Sequence, residues 1–479
     1  MRFYSTRDQC ADDSRSVDFE TALFSAYTND GGLYVPRELP ALDWRKWEKH
    51  TYPQVVAEIL QAFVGDDDLN VHDMVRSVYS KFDHADIAPI VQAGPGGVHV
   101  MELFHGPTWS FKDYALQIVG QLLRHYLQRS GRHLTLIIVT SGDTGSAAIE
   151  AVKMCPDIDI IVLLPQGMIT PIQERQMTSV ISDNVHVIPG EGDTSPLDSA
   201  VRVIFEDTEF VAKHNVASVN SVNWARIMVQ MAHWFYGYFR VMSPLGRLGE
   251  PLTVAVPTGA AGNLSAALYA KKLGLPIEIV ACNNENNVIH QWLSTGRLRH
   301  VNVKLTLASA MDIDVPYNIE RIMHLLLYDG PQSTAKAAGV TKRVMHEFYE
   351  SDDVEMEPEL MEKLRKAVVT CTVSDAQIEA TMKRLRDECG YVCCPHTATA
   401  LHYAYHNVAK RPILCASTAS PYKFVETMDR LGIQLPADPR LDQLMNARTR
   451  TSGTLKKGED WVEAIKAKVV EISDRHRTQ

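Results

Sequence analysis

Short, fully apolar segments alternate with amphipathic helical patterns between residues 134 and 416, and this alternation restricts the fold more than any other feature. The segments are rich in Val, Ile and Leu, as strands buried on both faces of a parallel sheet require. The six clearest segments are Leu134 to Val139, Ile158 to Leu164, Val185 to Ile188, Leu252 to Val256, Ile277 to Ala281 and Ile413 to Ala416. The alternation predicts an α/β protein built on parallel-type sheets.

A loop of small residues, Val256 to Asn263, follows one of these predicted strands and opens a helical pattern. Ligands of open parallel sheets collect at the carboxyl ends of the strands, so this loop lies where a binding site is expected. Small residues let backbone amides approach a phosphate, and the positive end of the following helix adds to the attraction. A glycine turn that only closes the joint between strand and helix is the alternative. The residues predicted to hold the phosphate are Gly259, Ala260, Ala261, Gly262 and Asn263.

A second glycine-containing loop, Thr140 to Gly145, follows another predicted strand. Ser141 and Thr144 in this loop, and Ser146 just after it, offer hydroxyls, and the helix start offers backbone amides. These groups suit the α-carboxylate of an amino acid. Asp143 in the same loop is a candidate for a ligand contact, and a helix cap is the alternative role.

Lys112 lies between an apolar strand pattern, Val98 to Phe104, and a helical pattern, Tyr114 to Leu127. A lysine held in such a loop can be desolvated. Desolvation lowers the pKa of the amine and exposes a nucleophile able to form a Schiff base with a carbonyl cofactor such as pyridoxal phosphate. On spacing alone, a solvated surface lysine is the alternative.

Three motifs resemble those of the threonine synthase family of pyridoxal-phosphate enzymes: HGPTWSFKDYALQ from His105, TSGDTGSAA from Thr140 and STAS from Ser417. The amino-terminal region, including FYSTR from Phe3 and DGGLYVP from Asp30, is similar too. The resemblance covers the chain to about residue 430. It implies the fold shared with the tryptophan synthase β chain, in which two lobes hold pyridoxal 5'-phosphate between them, preceded by a small amino-terminal domain.

The resemblance also implies roles for single residues. Lys112 binds the cofactor, and its freed amine removes the α-proton of an O-phosphorylated amino acid. Thr418 matches a hydroxyl beside the pyridine nitrogen, and Asp143 lies near the phenolic oxygen. Arg226, in the segment NSVNWAR, is a candidate to hold the leaving phosphate, with a structural role as the alternative.

Two reactions are open after phosphate leaves. A threonine synthase adds water after γ-elimination from O-phosphohomoserine and releases L-threonine. A phospholyase carries out β-elimination from O-phosphothreonine or O-phosphoserine, and its product hydrolyses to a keto acid and ammonia. A third alternative is a regulatory module that binds the cofactor without turnover.

Four motifs depart from the usual pattern of the synthases. Where those enzymes show GNFGD, SNFER, DPHTA and TAHPAKF, this chain has GAAGN from Gly259, YNIER from Tyr317, CPHTA from Cys394 and TASPYKF from Thr418. These variants resemble the threonine synthase-like 2 branch, which is associated with phosphate elimination, whereas HGPT at His105 keeps the synthase form. We therefore predict a phosphate-eliminating lyase whose product is 2-ketobutyrate, L-threonine or both.

Composition narrows the other classes of function. A formal charge of −10 and a pI near 6.0 argue against nucleic acid as a partner. No apolar run reaches the length of a membrane span, and the first residues lack the apolar core of a secretory signal. Eight cysteines show neither a disulfide framework nor repeated metal-ligand spacing. These features predict a cytoplasmic protein without a metal site, and the resemblance implies a small-molecule substrate. Neither gives an oligomeric state.

Pattern changes divide the chain into three predicted regions. Residues 1–85 form an amino-terminal domain, residues 86–437 a two-lobed catalytic domain, and residues 438–479 a helical tail that docks or contacts another subunit. An acidic segment, Glu347 to Lys366, is predicted to be helical and solvated, without chemistry of its own.

Overall fold

The computed structural model describes residues 1–10, 13–25, 27–192, 194–351, 353–408 and 411–477. Asp352 of the acidic segment and the last two residues of the predicted tail lie outside the described residues. The strands are β1 (Phe3–Ser5), β2 (Tyr34–Pro36), β3 (Ile90–Gln92), β4 (Val98–Glu102), β5 (Leu134–Val139), β6 (Ile158–Pro165), β7 (Val185–Gly190), β8 (Val216–Ala217), β9 (Leu252–Pro257), β10 (Ile277–Asn283), β11 (Arg297–Arg299), β12 (Asp353–Glu355), β13 (Val368–Thr372) and β14 (Ile413–Ser417).

The helices are α1 (Phe19–Phe24), α2 (Tyr52–Val64), α3 (Val71–Tyr79), α4 (Lys112–Ser130), α5 (Asp143–Val152), α6 (Pro171–Thr178), α7 (Thr194–Glu206), α8 (Thr208–His214), α9 (Trp224–Met242), α10 (Gly262–Lys272), α11 (Val288–Thr295), α12 (Ile319–Leu327), α13 (Thr334–Glu350), α14 (Pro358–Ala367), α15 (Asp375–Cys389), α16 (Pro395–Asn407), α17 (Val425–Leu431), α18 (Pro439–Asn446) and α19 (Trp461–Arg477). Short 3-10 helices cover Asp13–Arg15, Trp44–Lys49, Ser309–Met311, Pro331–Ser333 and Pro421–Phe424.

Two sheets organise the molecule. The large sheet has the strand order β13-β10-β9-β14-β4-β3, and all its pairs are parallel except the edge pair β3 with β4. The small sheet has the order β7-β6-β5-β8 and is parallel throughout. All six predicted apolar segments are strands of these sheets, and each strand begins at the predicted residue. The predicted α/β class with two parallel-type sheets is confirmed.

Both faces of the small sheet are buried, which explains why its strands are apolar without alternation. Successive side chains of β5 point to opposite faces. Leu136 and Ile138 join the central core, and Ile137 between them joins a separate core on the outer face. The central core also contains most of α9, which is buried on nearly all sides and lies between the lobes and the amino-terminal region.

Lys112 was predicted in a loop, but it is the first residue of α4. In the amino-terminal region, a 3-10 helix (Trp44–Lys49) and α2 follow each other as separate helices. Thr51 begins α2 with a capping box and Pro53 follows in its first turn, so the chain starts a new helix there.

The acidic segment is not helical throughout. Between α13 and α14 the chain forms β12, which pairs antiparallel with β11. Arg297 explains this pairing, because its guanidinium lies 2.8 Å from the carboxylate of Asp353 and 2.9 Å from that of Glu355. Cross-strand pairs of opposite charge stabilise such a ribbon.

The tail docks on its own chain. Ile465, Val469 and Ile472 of α19 are fully buried in the outer core of the small sheet, together with Ile137 and Ile161. Within the described ranges, no helix combines the length and the apolar character needed to cross a membrane. The domain boundaries after residues 85 and 437 stay predictions.

Gly120 allows α4, which begins with Lys112, to approach α5 closely. A Cβ atom at this position would lie 2.7 Å from the backbone oxygen of Ala151, which cannot yield cheaply. We predict that Gly120→Ala lowers the free energy of unfolding, because overpacking costs about 1–3 kcal/mol and a gain of about 1 kcal/mol in helix propensity only partly offsets it. Chemical denaturation measures the change. Gly96→Ala is the control, since nothing lies within 4 Å of its added Cβ; equal effects of the two substitutions would contradict the prediction.

Candidate active site

The loop before Lys112 is fastened to the segment that follows β14. The Phe111 amide donates to the Thr418 carbonyl at 2.8 Å, and the Ser420 amide donates to the Trp109 carbonyl at 3.0 Å. Trp109 adopts a left-handed backbone conformation with φ of 60°, which turns the chain into α4. These bonds bring Lys112 and Thr418, which are distant in sequence, to the same edge of the large sheet.

Asp113, the residue next to Lys112, holds this loop rather than the amine. Its carboxylate accepts hydrogen bonds from the Thr108 amide at 2.8 Å and from the Thr108 hydroxyl at 2.7 Å. Gly106 leaves the necessary space, because a Cβ there would lie 2.5 Å from Cβ of Asp113. Burial raises the pKa of Asp113 to about 6, although the bonds from Thr108 oppose the shift. Asp113 therefore positions the loop that carries Lys112.

The Lys112 side chain is largely buried, with 14% of its surface exposed, and its pKa lies below the usual value for lysine. Burial is the main cause, and the cations of Arg226 and Lys423 lower the pKa further. Asp143 opposes them, with one carboxylate oxygen 3.7 Å from Lys112 Nζ. A lowered pKa increases the fraction of neutral amine near pH 7, and neutral amine is the nucleophilic and basic form.

Asp143 lies between two lysines. Its Oδ1 atom is 3.0 Å from Lys423 Nζ and accepts a hydrogen bond of 2.9 Å from the Gln173 side chain. Burial alone would raise the pKa of Asp143, but Lys423 and Lys112 hold it well below its usual value, so the group is a carboxylate. Asp143 begins α5 without capping it, since the cap residue is Gly142. The position toward the lysines favours the predicted cofactor contact over the helix cap.

Lys423 lies in the TASPYKF motif but is not among the predicted site residues. The side chain is fully buried, and its amine donates to the Thr108 carbonyl at 2.9 Å and to the Gln176 side chain at 2.6 Å. Gln176 and Gln173 belong to α6, which is about 250 residues away in sequence. The motif was a signal for Lys423, but only the fold shows that it faces Asp143.

The predicted phosphate loop ends at the start of α10. The first amides of a helix have no partner within it, so they point into the space before Gly262. Ala261 has a left-handed backbone with φ of 61°. A Cβ atom added at Gly259 would lie 3.0 Å from the backbone oxygen of Ala310. Both amide atoms of the Asn263 side chain are buried with no hydrogen-bond partner among the described residues. Buried polar atoms without partners fit a bound polar group such as a phosphate.

Two residues of the YNIER motif brace this loop. Asn318 donates to the carbonyls of Ala260 and Ser221, each at 3.1 Å. Arg321 donates to the Asn318 side-chain oxygen at 2.7 Å and also bonds the carbonyl of Val222. Sequence analysis noted the motif but assigned these side chains no function. They hold the phosphate loop against the segment that leads to Arg226.

Arg226 is buried, and burial lowers its pKa to about 10. One end of the guanidinium donates to the Val219 carbonyl at 3.0 Å. Its Nε atom is buried without a partner among the described residues. The side chain is thus anchored at one end and leaves a donor at the other, so both the structural and the anion-binding interpretations retain support.

The loop predicted to bind a carboxylate is shaped by Thr140, whose hydroxyl oxygen accepts from the amides of Gly142 and Gly145, each at 3.0 Å. Ser146 is buried and its hydroxyl donates to a carbonyl of its own helix at 3.2 Å. Ser141 and Thr144 are half-buried. The geometry favours these two over Ser146 as ligand contacts.

The variant motifs contain residues with structural roles, both where they depart from the synthases (Ser420, Tyr317) and where they agree with them (His396). Ser420 accepts a bond from the Tyr422 amide at 3.3 Å, and Tyr317 packs with Leu33 and Val222. Burial lowers the pKa of His396 to about 4, and its neutral ring accepts a bond from the Ala310 amide at 3.0 Å. The last contact holds the chain beside Gly259 in place.

Known families and proteins that are similar to this chain support a pyridoxal-phosphate site. Residues 2–82 match the family Threonine synthase N terminus, and residues 88–359 match the family Pyridoxal-phosphate dependent enzyme. Threonine synthase-like 2 of Xenopus laevis is 40% identical over 99% of both chains, and that of Homo sapiens is 40% identical over 96% of both. This chain belongs to the threonine synthase family, which is pyridoxal-phosphate-dependent.

Solved structures of the threonine synthase family have the same fold. Threonine synthase from yeast has a TM-score of 0.88 at 29% identity, and the pyridoxal-phosphate-bound enzyme from Brucella melitensis has 0.87 at 30%. Each comparison covers 99% of both chains. The predicted fold of the tryptophan synthase β-chain type, with two lobes and an amino-terminal region, is confirmed, as is the cofactor of the family.

Gly259 is the glycine of the phosphate loop that leaves no room for a side chain. A Cβ there would lie 3.0 Å from the Ala310 carbonyl and 3.1 Å from Cα of Met311, both backbone atoms. We predict that Gly259→Val weakens cofactor retention by about tenfold to a hundredfold, because overpacking costs about 1–3 kcal/mol. Absorbance after dialysis measures retention. Gly262→Ala is the control, since its Cβ makes ordinary contacts from 3.5 Å outward; equal retention in both variants would contradict the assignment.

Lys423 compensates the buried charge of Asp143. We predict that Lys423→Met destabilises the protein by about 3–5 kcal/mol near pH 7, as expected when one partner of a buried pair is removed. The folded pKa of Asp143 is depressed, so its contribution to stability is present above the unfolded pKa and is lost as the pH falls through the folded pKa. In the variant Asp143 takes up a proton at a higher pH, so the deficit relative to wild type shrinks between pH 7 and about pH 5.

Thermal unfolding at both pH values measures this effect. The control is the double variant Lys423→Met with Asp143→Asn, which removes the unpaired charge and should recover part of the stability at pH 7. A deficit that is independent of pH and unchanged in the double variant would contradict the role of Lys423.

Proposed function

We propose that this protein is a pyridoxal-phosphate-dependent lyase that eliminates phosphate from an O-phosphorylated hydroxy amino acid. The observation that carries the proposal is the buried Lys112 amine, with a lowered pKa, beside the Asp143 carboxylate. The partnerless amide of Asn263 and the tight turn at Gly259 support the same cofactor, because they fit its phosphate.

Each part of the cofactor has a candidate partner in the chain. Lys112 provides the amine for covalent attachment, and the amides of residues 259–263 with Asn263 hold the phosphate. Thr418 would provide a hydroxyl for the pyridine nitrogen, and Asp143 would lie near the phenolic oxygen. Pyridoxal phosphate, when bound, supplies an electron sink for charge that develops at the α-carbon. A neutral hydroxyl at the ring nitrogen moderates that sink and favours elimination over transamination.

Lys112 Nζ is the proposed general base. A free amine at this position would accept the α-proton of a bound amino acid. Its lowered pKa raises the fraction of neutral amine, which is the form that accepts a proton. Asp143, 3.7 Å away, would stabilise the ammonium that forms when Nζ accepts the proton. The two side chains are 14% and 3% exposed, so solvent screens their interaction less than at the surface.

The anionic ends of the substrate have separate candidate sites. Ser141, Thr144 and the first amides of α5 suit the α-carboxylate. The Nε donor of Arg226 suits the leaving phosphate. We propose O-phosphohomoserine, O-phosphothreonine or both as substrates. A small-molecule substrate and a cytoplasmic location are parts of the same proposal.

The product depends on control of water. Ala260 and Ala261 provide no side-chain hydrogen bonds in the phosphate loop, and the Ser420 hydroxyl caps a turn. The synthases have asparagine, phenylalanine and histidine at these motif positions, so the groups able to orient water here differ. We propose that 2-ketobutyrate is a substantial product, beside or instead of L-threonine. The similarity to Threonine synthase-like 2 supports this, because that branch is associated with phosphate elimination.

A plain threonine synthase is the second candidate. The HGPT segment keeps the form found in the synthases, which favours this candidate. In that segment the Thr108 amide donates to Asp113, and the Thr108 carbonyl accepts from Lys423. A threonine synthase of Schizosaccharomyces pombe is also 34% identical over 86% of both chains. A cofactor-binding module without turnover is disfavoured because Lys112 and the groups around it are intact.

Product analysis tests the proposal. Purified holoenzyme is incubated separately with O-phosphohomoserine, O-phosphothreonine and O-phosphoserine, and phosphate, threonine and keto acid are quantified in each reaction. We predict phosphate from at least one of the first two substrates, with 2-ketobutyrate as a substantial product. Lys112→Ala should retain cofactor without covalent attachment and lose about 10²-fold to 10⁴-fold or more in rate.

Three results discriminate the alternatives. Threonine equal to phosphate from O-phosphohomoserine, with negligible keto acid, would establish a plain synthase. Absence of phosphate from all three substrates would favour the regulatory module. Equal rates for wild type and Lys112→Ala would remove Lys112 from the reaction.

A further inference from the structure

Three histidines surround one buried carboxylate at the amino end of the small sheet, the end opposite to Lys112. Nε2 of His133 and Nε2 of His476 each lie 2.9 Å from Oδ2 of Asp159. Nε2 of His186 lies 2.7 Å from the other oxygen, Oδ1. The imidazole rings of His133 and His476 stack with centroids 3.7 Å apart. This cluster takes no part in the proposed reaction.

The cluster joins four parts of the chain. His133 immediately precedes β5, Asp159 lies in β6, His186 lies in β7, and His476 lies in the last turn of α19. Asp159 is 1% exposed and His186 is buried, whereas the side chains of His133 and His476 are 18% and 25% exposed. The carboxylate is therefore enclosed by the sheet, and the two stacked rings separate it from solvent.

The arrangement of donor atoms is that of a metal site. Nε2 of His133, Nε2 of His476 and Oδ2 of Asp159 lie within 4.8 Å of one another. Zinc binds imidazole and carboxylate at about 2.0–2.2 Å, so its tetrahedral ligands are about 3.3 Å apart. The two partly exposed rings would move apart slightly to admit the ion between Nε2 of each ring and Oδ2, which now lie 2.9 Å apart. Both ring nitrogens point at the same carboxylate oxygen, which is the convergence that a bound cation requires.

We propose that His133, Asp159 and His476 bind one Zn²⁺ ion that fastens α19 to the small sheet. His186 has a supporting role, because a hydrogen bond to Oδ1 orients the carboxylate. Arg475 approaches Oδ1 at 3.9 Å, donates to the Asp183 carbonyl at 3.4 Å and pairs with Glu471 at 3.7 Å. Imidazole with a single carboxylate favours zinc over magnesium, which prefers oxygen ligands.

The sequence predicts no metal site. These four residues lie at positions 133, 159, 186 and 476, which show no ligand spacing. The site depends on the parallel order of β5, β6 and β7 and on the docking of the tail.

Metal titration of the full-length holoenzyme tests the site. The protein is purified with a tag that contains no histidine, treated with chelator, and titrated with Zn²⁺ or Mg²⁺ against a chromophoric chelator. We expect one zinc per chain and no binding of magnesium in competition. His133→Asn and His476→Asn can keep a hydrogen bond to Asp159 but should weaken zinc binding by about a hundredfold, and His186→Ala by about tenfold to a hundredfold.

His72→Asn is the matched control, because His72 is exposed on α3, where its ring bonds the Gln61 side chain, and it lies outside the cluster. It should leave zinc binding unchanged. A second measurement follows the tail: zinc should slow proteolysis between residues 447 and 460 in wild type but not in His476→Asn. X-ray absorption at the zinc edge of wild type should show two imidazole ligands, and this readout requires no variant to fold.

The proposal is overturned if chelated wild type binds no zinc at micromolar concentration, in which case the cluster is held by hydrogen bonds alone. It is also overturned if zinc binds equally to wild type and to both His→Asn variants, or if the absorption spectrum shows no imidazole. One zinc per chain, lost in those variants and kept in His72→Asn, supports it.

Discussion

The pairing of Asp143 with Lys112 and Lys423 is the interaction on which the rest of the site depends. It joins the start of α4, the start of α5 and the segment after β14. Asp143 and Lys423 are buried, and Lys112 is 14% exposed. Removing ions from water costs several kcal/mol each, and only close pairs with further hydrogen bonds offset this cost. The bonds from Lys423 to Thr108 and Gln176 provide them. These ion pairs therefore connect the two lobes.

This arrangement also prepares the site for anions. Lys112 and Lys423 pair with Asp143, and the cations of Arg226 and Lys423 also act on Lys112. These cations add to the effect of burial in lowering the pKa of Lys112, and a phosphate or carboxylate that enters would offset them. Fixed groups of this kind stabilise charge without reorganisation during the reaction. The same feature that makes Lys112 reactive thus attracts the class of substrate that we propose.

Local patterns predicted the parts of the fold that depend on local physics. The doubly buried strands of both sheets and the glycine loops were visible in the sequence, because burial on both faces removes polar residues. β13 was missed, since its segment Val368–Thr372 is partly exposed at the edge of the large sheet. Lys423, Asn318 and the histidine cluster act through contacts between distant segments, which no local pattern reports.

Asp113 and Asp143 show why neighbours in sequence mislead about chemistry. Asp113 adjoins Lys112 along the chain, yet its carboxylate bonds to Thr108, and burial raises its pKa to about 6. Asp143 is 31 residues away, yet it faces the Lys112 amine and two lysines hold its pKa well below the usual value. The helix turns one aspartate away from the amine, and the fold brings the other toward it.

The tail completes the small lobe rather than extending from it. α19 and α7 together cover the outer face of β5 and β6, where Ile137 and Ile161 are buried. Burying Ile465 and Val469 there stabilises the fold by about 1.5–3 kcal/mol for each side chain. The change in composition after residue 437 therefore marks a change in pattern and not an independent folding unit. His133 of the histidine cluster precedes β5 at one end, and β5 leads to the Asp143 loop at the other, so the tail and the candidate active site are attached to the same strand.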